Sequence, residues 1–255
     1  MSLLDSLVAR LLRCQVGFWQ VQARLQAQTD DEALHDLRIQ LRRLRSVLRP
    51  LRKQACIAPL YIAAADLGRL TTPWRDLEVL CAHLQAAGLT QACAVRSSAL
   101  RGAYAELRQA TALAALLALL DDSLWALRHG TRQTPRWVSK KRIRRYLQQQ
   151  RRQLQAALAE PHGDRHRLRL LIKRLRYSNE VYGSCSTLSV PCMDALKAAQ
   201  AALGDWHDLD QWCQRAAREV DLQPLQAAWQ LQVGTALAAA EQPLQVLTKR
   251  LAERP

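Results

Sequence analysis

The chain has 255 residues, 49% of them apolar, which supplies enough hydrophobic material for a core and excludes a disordered protein. Only 9 Gly, 9 Pro and 1 Phe accompany long stretches of Leu, Ala, Gln and Arg, so the composition argues against a sheet protein and favours an all-α one. The formal net charge of +15 points to an anionic partner.

Helix start and stop signals predict five helices in the first half of the chain. They are expected near residues 2–27, 31–54, 57–70, 73–87 and 89–119. Thr29 and Glu32 have the spacing of a capping box at the start of the second helix, and Pro50 is expected to kink or shorten that helix. Thr72, which precedes a proline, starts the fourth helix, and Gly88 ends it.

A second set of five helices is expected after Thr134 and Pro135, an N-cap followed by proline at the first helical position. These helices are predicted near residues 135–159, 164–183, 191–204, 205–219 and 222–252. Gly204 is expected to separate the third from the fourth, and Pro243 to kink or shorten the last.

The positive charge is concentrated in three stretches that contain no Asp or Glu. Residues 37–65, 123–159 and 165–179 hold 7, 10 and 6 basic residues respectively, and the rest of the chain has a net charge of −8. Because separate blocks of like charge would repel one another, we expect the three stretches to surround one anionic ligand.

Two pairs of segments repeat along the chain. Residues 35–45 read HDLRIQLRRLR and residues 166–176 read HRLRLLIKRLR, an offset of 131. Residues 74–78 read WRDLE and residues 206–210 read WHDLD, an offset of 132. Two matches at nearly the same offset indicate an internal duplication.

The duplication predicts one domain over residues 1–255, built of two repeats, 1–130 and 131–255. The expected fold is all-α, with two antiparallel helical bundles related by an approximate two-fold axis. A basic cleft or pore is expected at the centre, where the two halves meet.

In each copy of the longer repeat, basic side chains fall on one helical stripe, which we call a lane. The first lane consists of His35, Arg38, Arg42, Arg45 and Arg49, is extended by Arg52, and runs beside a stripe of core leucines. The second lane consists of His166, Arg169, Lys173 and Arg176, with Tyr177 next to it. An external anion would relieve the repulsion within each lane. A solvated, arginine-rich surface is the alternative, and each His has an alternative structural role.

Other charged residues are candidates for the same site. Lys140 and Arg144, from the third basic stretch, could line it. Asp76 and Asp208, from the shorter repeat, are expected to hold an arginine of the adjacent lane or to stabilise a helix N-terminus. Because the carboxylates of each shorter repeat are two positions apart and point to different sides of a helix, we do not expect them to chelate one metal together.

The two signatures resemble those of the CHAD family, the conserved histidine α-helical domain. They are H-x-L-R-x-x-x-[RK]-R-L-R, present twice, and the W-x-D-L-[DE] segment downstream of each copy. The resemblance covers essentially the whole chain and implies two four-helix-bundle-like halves around a basic cleft. It also implies binding of inorganic polyphosphate. The family's His and basic positions fall on His35, Arg38, Arg42, Arg43, Arg45, His166, Arg169, Lys173, Arg174 and Arg176.

We therefore expect a non-catalytic module that binds polyphosphate, with polyphosphate granules as a further candidate partner. A nucleic-acid-binding protein would share the charge, but no stacking platform or recognition motif is found in the sequence. A polyphosphate hydrolase or a phosphohistidine carrier is the third alternative. A hydrolase would need carboxylate-held magnesium, and the acidic EXEXK strand of the CYTH domains that often accompany this family is absent.

The remaining sequence signals concern cofactors and location. The 7 Cys residues are an odd number without a CxxC pair, so we predict small core residues, with no disulfide framework, metal site or other cofactor. The longest apolar run, Ala112 to Leu120, is about half of what a bilayer span needs, and no signal peptide is recognised. We expect a cytoplasmic protein with no membrane partner, and the oligomeric state stays open.

Overall fold

The structure, a computed structural model, describes residues 2–28, 30, 32–129, 137–160 and 163–253. Helices account for most of these residues, and no strand occurs among them, so the prediction of an all-α protein is confirmed. No single helix in the described ranges is long and apolar enough to cross a membrane. The fifth and sixth helices pass that test only as a bent pair.

Tertiary contacts divide the chain into two compact units, Met1–Arg142 and Ile143–Pro255. The repeat boundary predicted between residues 130 and 131, with its Thr134-Pro135 helix start, falls on residues outside the described ranges. That boundary and the two-fold symmetry stay predictions.

Six complete α-helices lie in the described part of the first unit. They are α1 (Leu3–Ala27), α2 (Ala33–Leu48), α3 (Ala58–Leu70), α4 (Thr72–Ala86), α5 (Thr90–Gln109) and α6 (Ala112–His129). Helix α1 packs against α2 and α6, α3 packs against α2 and α6, and α4 packs against α5. A 3₁₀ helix, Arg49–Leu51, replaces the predicted end of α2 and contains Pro50, which confirms the predicted shortening.

Helix α2 begins at Ala33, two residues later than predicted. Glu32 occupies the N-cap position but its side chain makes no capping hydrogen bond, and Thr29 lies outside the described residues. Arg24 of α1 instead donates to Asp30 (Nε to Oδ2, 2.9 Å) and to Asp36 (Nη1 to Oδ2, 2.5 Å). Arg24 therefore links the end of α1 to the first turn of α2 through ion pairs.

The leucine stripe of α2 and the turn after it lies in the core. Its six residues, each at most 2% exposed, are Leu34, Leu37, Leu41, Leu44, Leu48 and Leu51. On the facing helix, a Cβ at Gly17 would lie only 2.5 Å from the side chain of Gln40, so glycine permits the close approach of α1 and α2. The basic residues of α2 are thereby fixed at the edge of a rigid core.

The single helix predicted over residues 89–119 is wrong. Helix α5 ends at Gln109, α6 runs on to His129, and their axes differ by 42°. Ala110 adopts an extended conformation at the break. Leu107 and Leu113 on either side are both buried, so the bend allows each helix to turn an apolar face inward.

The described residues of the second unit form four α-helices and two 3₁₀ helices. The α-helices are α7 (Lys140–Leu158), whose first residues belong to the first unit, α8 (Arg165–Val181), α9 (Val190–Ala216) and α10 (Gln226–Ala252). Each contributes to the same buried cluster, through residues such as Leu154, Ile172, Leu196 and Leu244. The first lane lies on α2 and continues at Arg49 into the 3₁₀ helix, and the second lies on α8, so we call them the α2 lane and the α8 lane.

The helix break predicted at Gly204 is wrong. Helix α9 runs through Gly204 without interruption, so the predicted helices 191–204 and 205–219 form one element. A glycine costs only about 1 kcal/mol in a helix interior, and the buried Leu203 anchors this stretch to the core. Pro243 likewise lies inside α10 and does not shorten it.

All seven cysteines are free thiols. Four are buried, in agreement with the prediction of small core residues: Cys14, Cys81, Cys185 and Cys192. The other three, Cys56, Cys93 and Cys213, are half-buried.

Candidate functional site

The α2 lane is neither solvated nor buried. His35, Arg38, Arg42, Arg45 and Arg49 are all half-buried. The other two predicted basic residues of this region, Arg43 and Arg52, are exposed, and the Arg52 Nη1 donates to the carbonyl oxygen of Arg49 at 2.8 Å. A surface that carries arginine only for solubility would leave these side chains in water, whereas this lane holds them against the protein.

Three hydrogen bonds anchor Arg38 of the α2 lane. Its Nη1 donates to the Gly68 carbonyl oxygen at 2.9 Å and to the hydroxyls of Thr71 and Thr72 at 3.1 Å each. These acceptors lie where α3 ends and α4 begins, because Pro73 in the first turn of α4 favours a new helix start. The helix break predicted at this point therefore supplies the residues that orient Arg38.

The environment of Arg38 is strongly positive. Burial is the main cause that lowers the pKa of its guanidinium, and the neighbouring charges of Arg42, Arg75 and Arg45 lower it further. Asp76 opposes them and raises the pKa. The charge of Asp76 thus acts on a lane arginine, although the side chain of Asp76 is exposed.

Arg75 was not among the predicted site residues, yet its charge reaches the α2 lane. Its Nη1 donates to Glu78 Oε2 at 2.8 Å, and the Tyr104 hydroxyl of α5 donates to Glu78 Oε1 at 2.5 Å. Glu78 therefore faces α5, whereas Asp76 acts on Arg38. The two carboxylates serve different partners, which agrees with their spacing along the helix.

Arg45 carries a polar atom that the protein leaves unsatisfied. Its Nε is buried and, within the described residues, has no hydrogen-bond partner. Its Nη1 lies beside α3, 3.5 Å from where a Cβ of Gly68 would stand. A buried donor without an acceptor costs about 1–3 kcal/mol, so this arginine is held in place at a cost in stability.

The α8 lane repeats the sequence pattern of the α2 lane, but different residues contact its basic side chains. Arg169, Lys173, Arg174, Arg176 and Tyr177 are half-buried. The Arg176 guanidinium stacks on the Tyr177 ring at 4.5 Å and lies 3.4 Å from Glu180 Oε1. Its Nε, like that of Arg45, is buried without a hydrogen-bond partner in the part of the chain that is described.

A pair of histidines stands at the head of the α8 lane. The exposed His166 and the half-buried His207 of α9 have ring centroids 5.2 Å apart. Burial lowers the pKa of His207 to about 4, and the charges of Arg169, His166 and Lys173 act in the same direction. The buried Nδ1 of His207 finds no hydrogen-bond partner among the described residues.

Comparison with known proteins identifies the family. A model of the CHAD domain matches residues 10–217. The chain belongs to the CHAD family. The crystal structure of the CHAD domain from the plant Ricinus communis matches with a TM-score of 0.74 at 24% identity, and the alignment covers 100% of this chain and 93% of that chain. A search of curated proteins finds no match.

The predicted site residues on α7 of this CHAD domain are exposed. Lys140 lies in the first unit and Arg144 in the second. Further along α7, Arg151 donates to the carbonyl oxygens of Leu251 (2.6 Å) and Glu253 (2.9 Å), so it clamps the end of α10.

No group of three or more His, Cys, Asp or Glu that could hold a metal ion occurs in the described ranges. Asp208, the second predicted supporting carboxylate of the CHAD domain, is half-buried on α9.

Proposed function

We propose that this CHAD domain binds inorganic polyphosphate and holds it through the α2 and α8 lanes without chemical change. The observation that carries the proposal is the pair Arg45 and Arg176. They occupy the same position in the two copies of the repeat, and the buried Nε of each has no hydrogen-bond partner among the described residues. A buried donor without a partner needs an explanation, and a bound anion is one that would satisfy both arginines.

The dimensions of the α2 lane suit a chain of phosphates. His35 to Arg49 spans about 21 Å at 1.5 Å per residue. Arginine forks make bidentate, charge-assisted hydrogen bonds to phosphate oxygens. A polyanion lying along the lane would neutralise several like charges at once, whereas a single phosphate would neutralise one or two.

A binding role without catalysis is supported by the partners of the nearby carboxylates. Glu78 pairs with Arg75, and Glu180 pairs with Arg176. Carboxylates engaged with arginine are poorly placed to hold the magnesium that phosphoryl hydrolysis requires. We expect no release of orthophosphate when the domain is incubated with polyphosphate and magnesium.

Titration with long-chain polyphosphate at two salt concentrations tests the proposal. For about six phosphate contacts, raising the salt from about 50 to 200 mM should weaken binding by a factor on the order of 10³. Orthophosphate should bind far more weakly than the long chain. Equal affinity for the two would contradict the lane arrangement, because it would indicate a pocket for a single phosphate.

Competition with duplex DNA and RNA at physiological salt separates this function from nucleic-acid binding. Polyphosphate should displace either nucleic acid, since the lanes are shaped by arginine spacing and lack a platform for stacking bases. Displacement of polyphosphate by nucleic acid at equal phosphate concentration would overturn the assignment.

A further inference from the structure

Two thiols meet between α4 and α5, away from the lanes. The Sγ of Cys81 on α4 lies 4.0 Å from the carbonyl oxygen of Cys93 on α5. The Cys93 Sγ lies 3.7 Å from the hydroxyl of Ser97, which donates to that same carbonyl oxygen at 3.0 Å. The Cys81 thiol also interacts with the side chains of Ser97 and Cys93, and both interactions bear on its pKa. The two sulfurs therefore share one small polar cluster.

The two thiols differ in access. Cys81 is only 8% exposed, and burial is the main cause that raises its pKa, whereas Cys93 is half-buried. The positive charge of the buried Arg96 partly offsets this rise in the pKa of Cys81, because a nearby cation favours the thiolate. An accessible thiol beside a sheltered one is the arrangement in which an oxidised sulfur can be captured by a neighbour.

Helix α5 packs against α4, but few of its residues are buried. Of its 20 residues, only Arg96, Ala103 and Leu107 are buried. The Tyr104 hydroxyl adds a hydrogen bond to Glu78 of α4. A covalent link between α4 and α5 would consequently change the freedom of α5 more than that of a helix packed in the core.

We propose that Cys81 and Cys93 form a peroxide-sensitive dithiol pair that closes into a disulfide between α4 and α5. Hydrogen peroxide is the oxidant. The Cys93 thiolate attacks one peroxide oxygen, the O–O bond breaks, and the sulfenic acid forms with release of one water after proton uptake. The Cys81 sulfur then attacks the sulfenic sulfur, the S–O bond breaks, and a second water leaves. Two thiols are oxidised by two electrons, and one peroxide is reduced to two waters.

Oxidation with a small excess of hydrogen peroxide, followed by mass spectrometry of the non-reduced protein, tests the proposal. The mass should fall by about 2 Da, because a disulfide loses two hydrogen atoms. Non-reducing peptide mapping should place the link between Cys81 and Cys93, and a thiol reductant should restore the original mass. Sulfinic acid on Cys93 with Cys81 still reduced would overturn the proposal, as would a disulfide that joins any other pair.

Two variants distinguish the pair from ordinary thiol oxidation. In Cys81→Ser, Cys93 should stop at sulfenic acid, trapped by dimedone, or proceed to sulfinic acid, and no disulfide should appear. The matched control Cys213→Ser removes another half-buried thiol and should leave formation of the disulfide unchanged. If Cys213→Ser abolishes the link, the assignment of the pair is wrong.

Amide hydrogen exchange measures how the disulfide changes the mobility of α5, and the measurement needs no ligand. Amide protons of α5 should exchange severalfold more slowly after oxidation, and this slowing should disappear in Cys93→Ser. Unchanged exchange in α5 despite a mapped disulfide would contradict its role as a staple for this helix.

Discussion

The α2 lane and the α8 lane share a sequence pattern but are held by different kinds of partner. In the α2 lane, neutral acceptors at the α3–α4 junction fix Arg38. In the α8 lane, Arg176 is supported by the ring of Tyr177 and the carboxylate of Glu180. A neutral acceptor orients a guanidinium and leaves its charge intact, whereas a carboxylate orients it and neutralises part of the charge.

The difference originates in the sequence after each signature. At the offset of 131, Glu180 takes the place of Arg49, and Tyr177 takes the place of Ser46. The α2 lane thus continues with positive charge where the α8 lane ends in an ion pair. We infer that the α2 lane contributes more of the attraction for a polyanion, and that the histidine pair makes the α8 lane the more sensitive to pH.

The largest expected effect comes from removing Arg45 from the α2 lane or Arg176 from the α8 lane. A hydrogen bond to a charged group is worth about 1.5–3 kcal/mol, so Arg45→Ala should weaken polyphosphate binding at least about tenfold. Arg176→Ala should weaken binding less, since Glu180 already neutralises part of its charge. Because each change removes a buried unsatisfied donor, both variants should be at least as stable as the wild type in thermal unfolding.

The control is the double variant Arg145→Ala/Arg152→Ala, which deletes two exposed charges of α7. Exposed charges contribute well under about 1 kcal/mol each, so this control should bind more tightly than Arg45→Ala. If affinity depends only on the number of charges removed, the protein is a general basic surface and the lanes are not a site.

The second effect concerns pH and the histidine pair. His207 has its pKa lowered to about 4 and is neutral in the free protein at neutral pH. A bound polyanion favours the protonated form, so the complex takes up protons and affinity should rise as the pH falls from about 7.5 to 5.5. We expect a gain of about two- to fivefold, appropriate to a partly exposed charge pair. His207→Asn should reduce this gain in isothermal titrations at several pH values.

His207 should have the opposite effect on the stability of the free protein, which should decrease as the pH falls. The ordinary pKa of His207 is 6.5, so below that pH the unfolded chain binds a proton that the folded one refuses. Stability should therefore fall as the pH drops from about 6.5 to 4, and the fall should be smaller in His207→Asn. Equal pH dependence in the variant and the wild type would assign the effect to other groups.

Periodicity and spacing were sufficient to predict which residues form the lanes and which form the leucine stripe beside them. Both depend on which face of α2 a residue occupies, and a regular helix fixes that face from sequence alone. Strong start signals also succeeded, since Thr72-Pro73 marks the start of α4.

The supports of the lanes could not be predicted in the same way. His207 and Thr71 reach lane residues only because α9 packs on α8 and α3 packs on α2, and helix pairing is a tertiary property. Gly204 was misread because core packing outweighs the small cost of a helical glycine, and the break at Ala110 has no Gly or Pro to announce it. The shorter repeat did contain one usable signal. At its offset of 132, His207 takes the position of Arg75, and each of these residues interacts electrostatically with the lane of its own half.

The third prediction tests whether the α3–α4 junction positions Arg38. Thr71→Val keeps the shape of this buried residue and removes one acceptor of Arg38, and it should weaken polyphosphate binding about two- to threefold and lower stability by about 1 kcal/mol. In an Arg38→Ala background the same change should have no further effect on binding, which a double-mutant cycle measures.

Thr248→Val is the matched control for this effect. Its hydroxyl donates to the carbonyl oxygen of Leu244, four residues back, as that of Thr71 does to Leu67. The control removes the same kind of local hydrogen bond at a position outside the lanes. A loss of affinity in Thr248→Val equal to that in Thr71→Val would show that the effect is one of general stability.

The smallest effect should arise from Glu180→Gln, which makes the α8 lane more like the α2 lane. The Glu180 side chain is 41% exposed and its oxygen lies 3.4 Å from Arg176, so the ion pair is worth less than about 1 kcal/mol. Without it, Arg176 keeps its stacking on Tyr177 and regains its full charge, and polyphosphate should bind up to about twofold more tightly. Glu160→Gln on the same unit removes an equal charge from an exposed pair with Arg167, which lies outside the lane. If both variants tighten binding equally, the gain reflects net charge alone; a gain confined to Glu180→Gln assigns the difference between the lanes to this carboxylate.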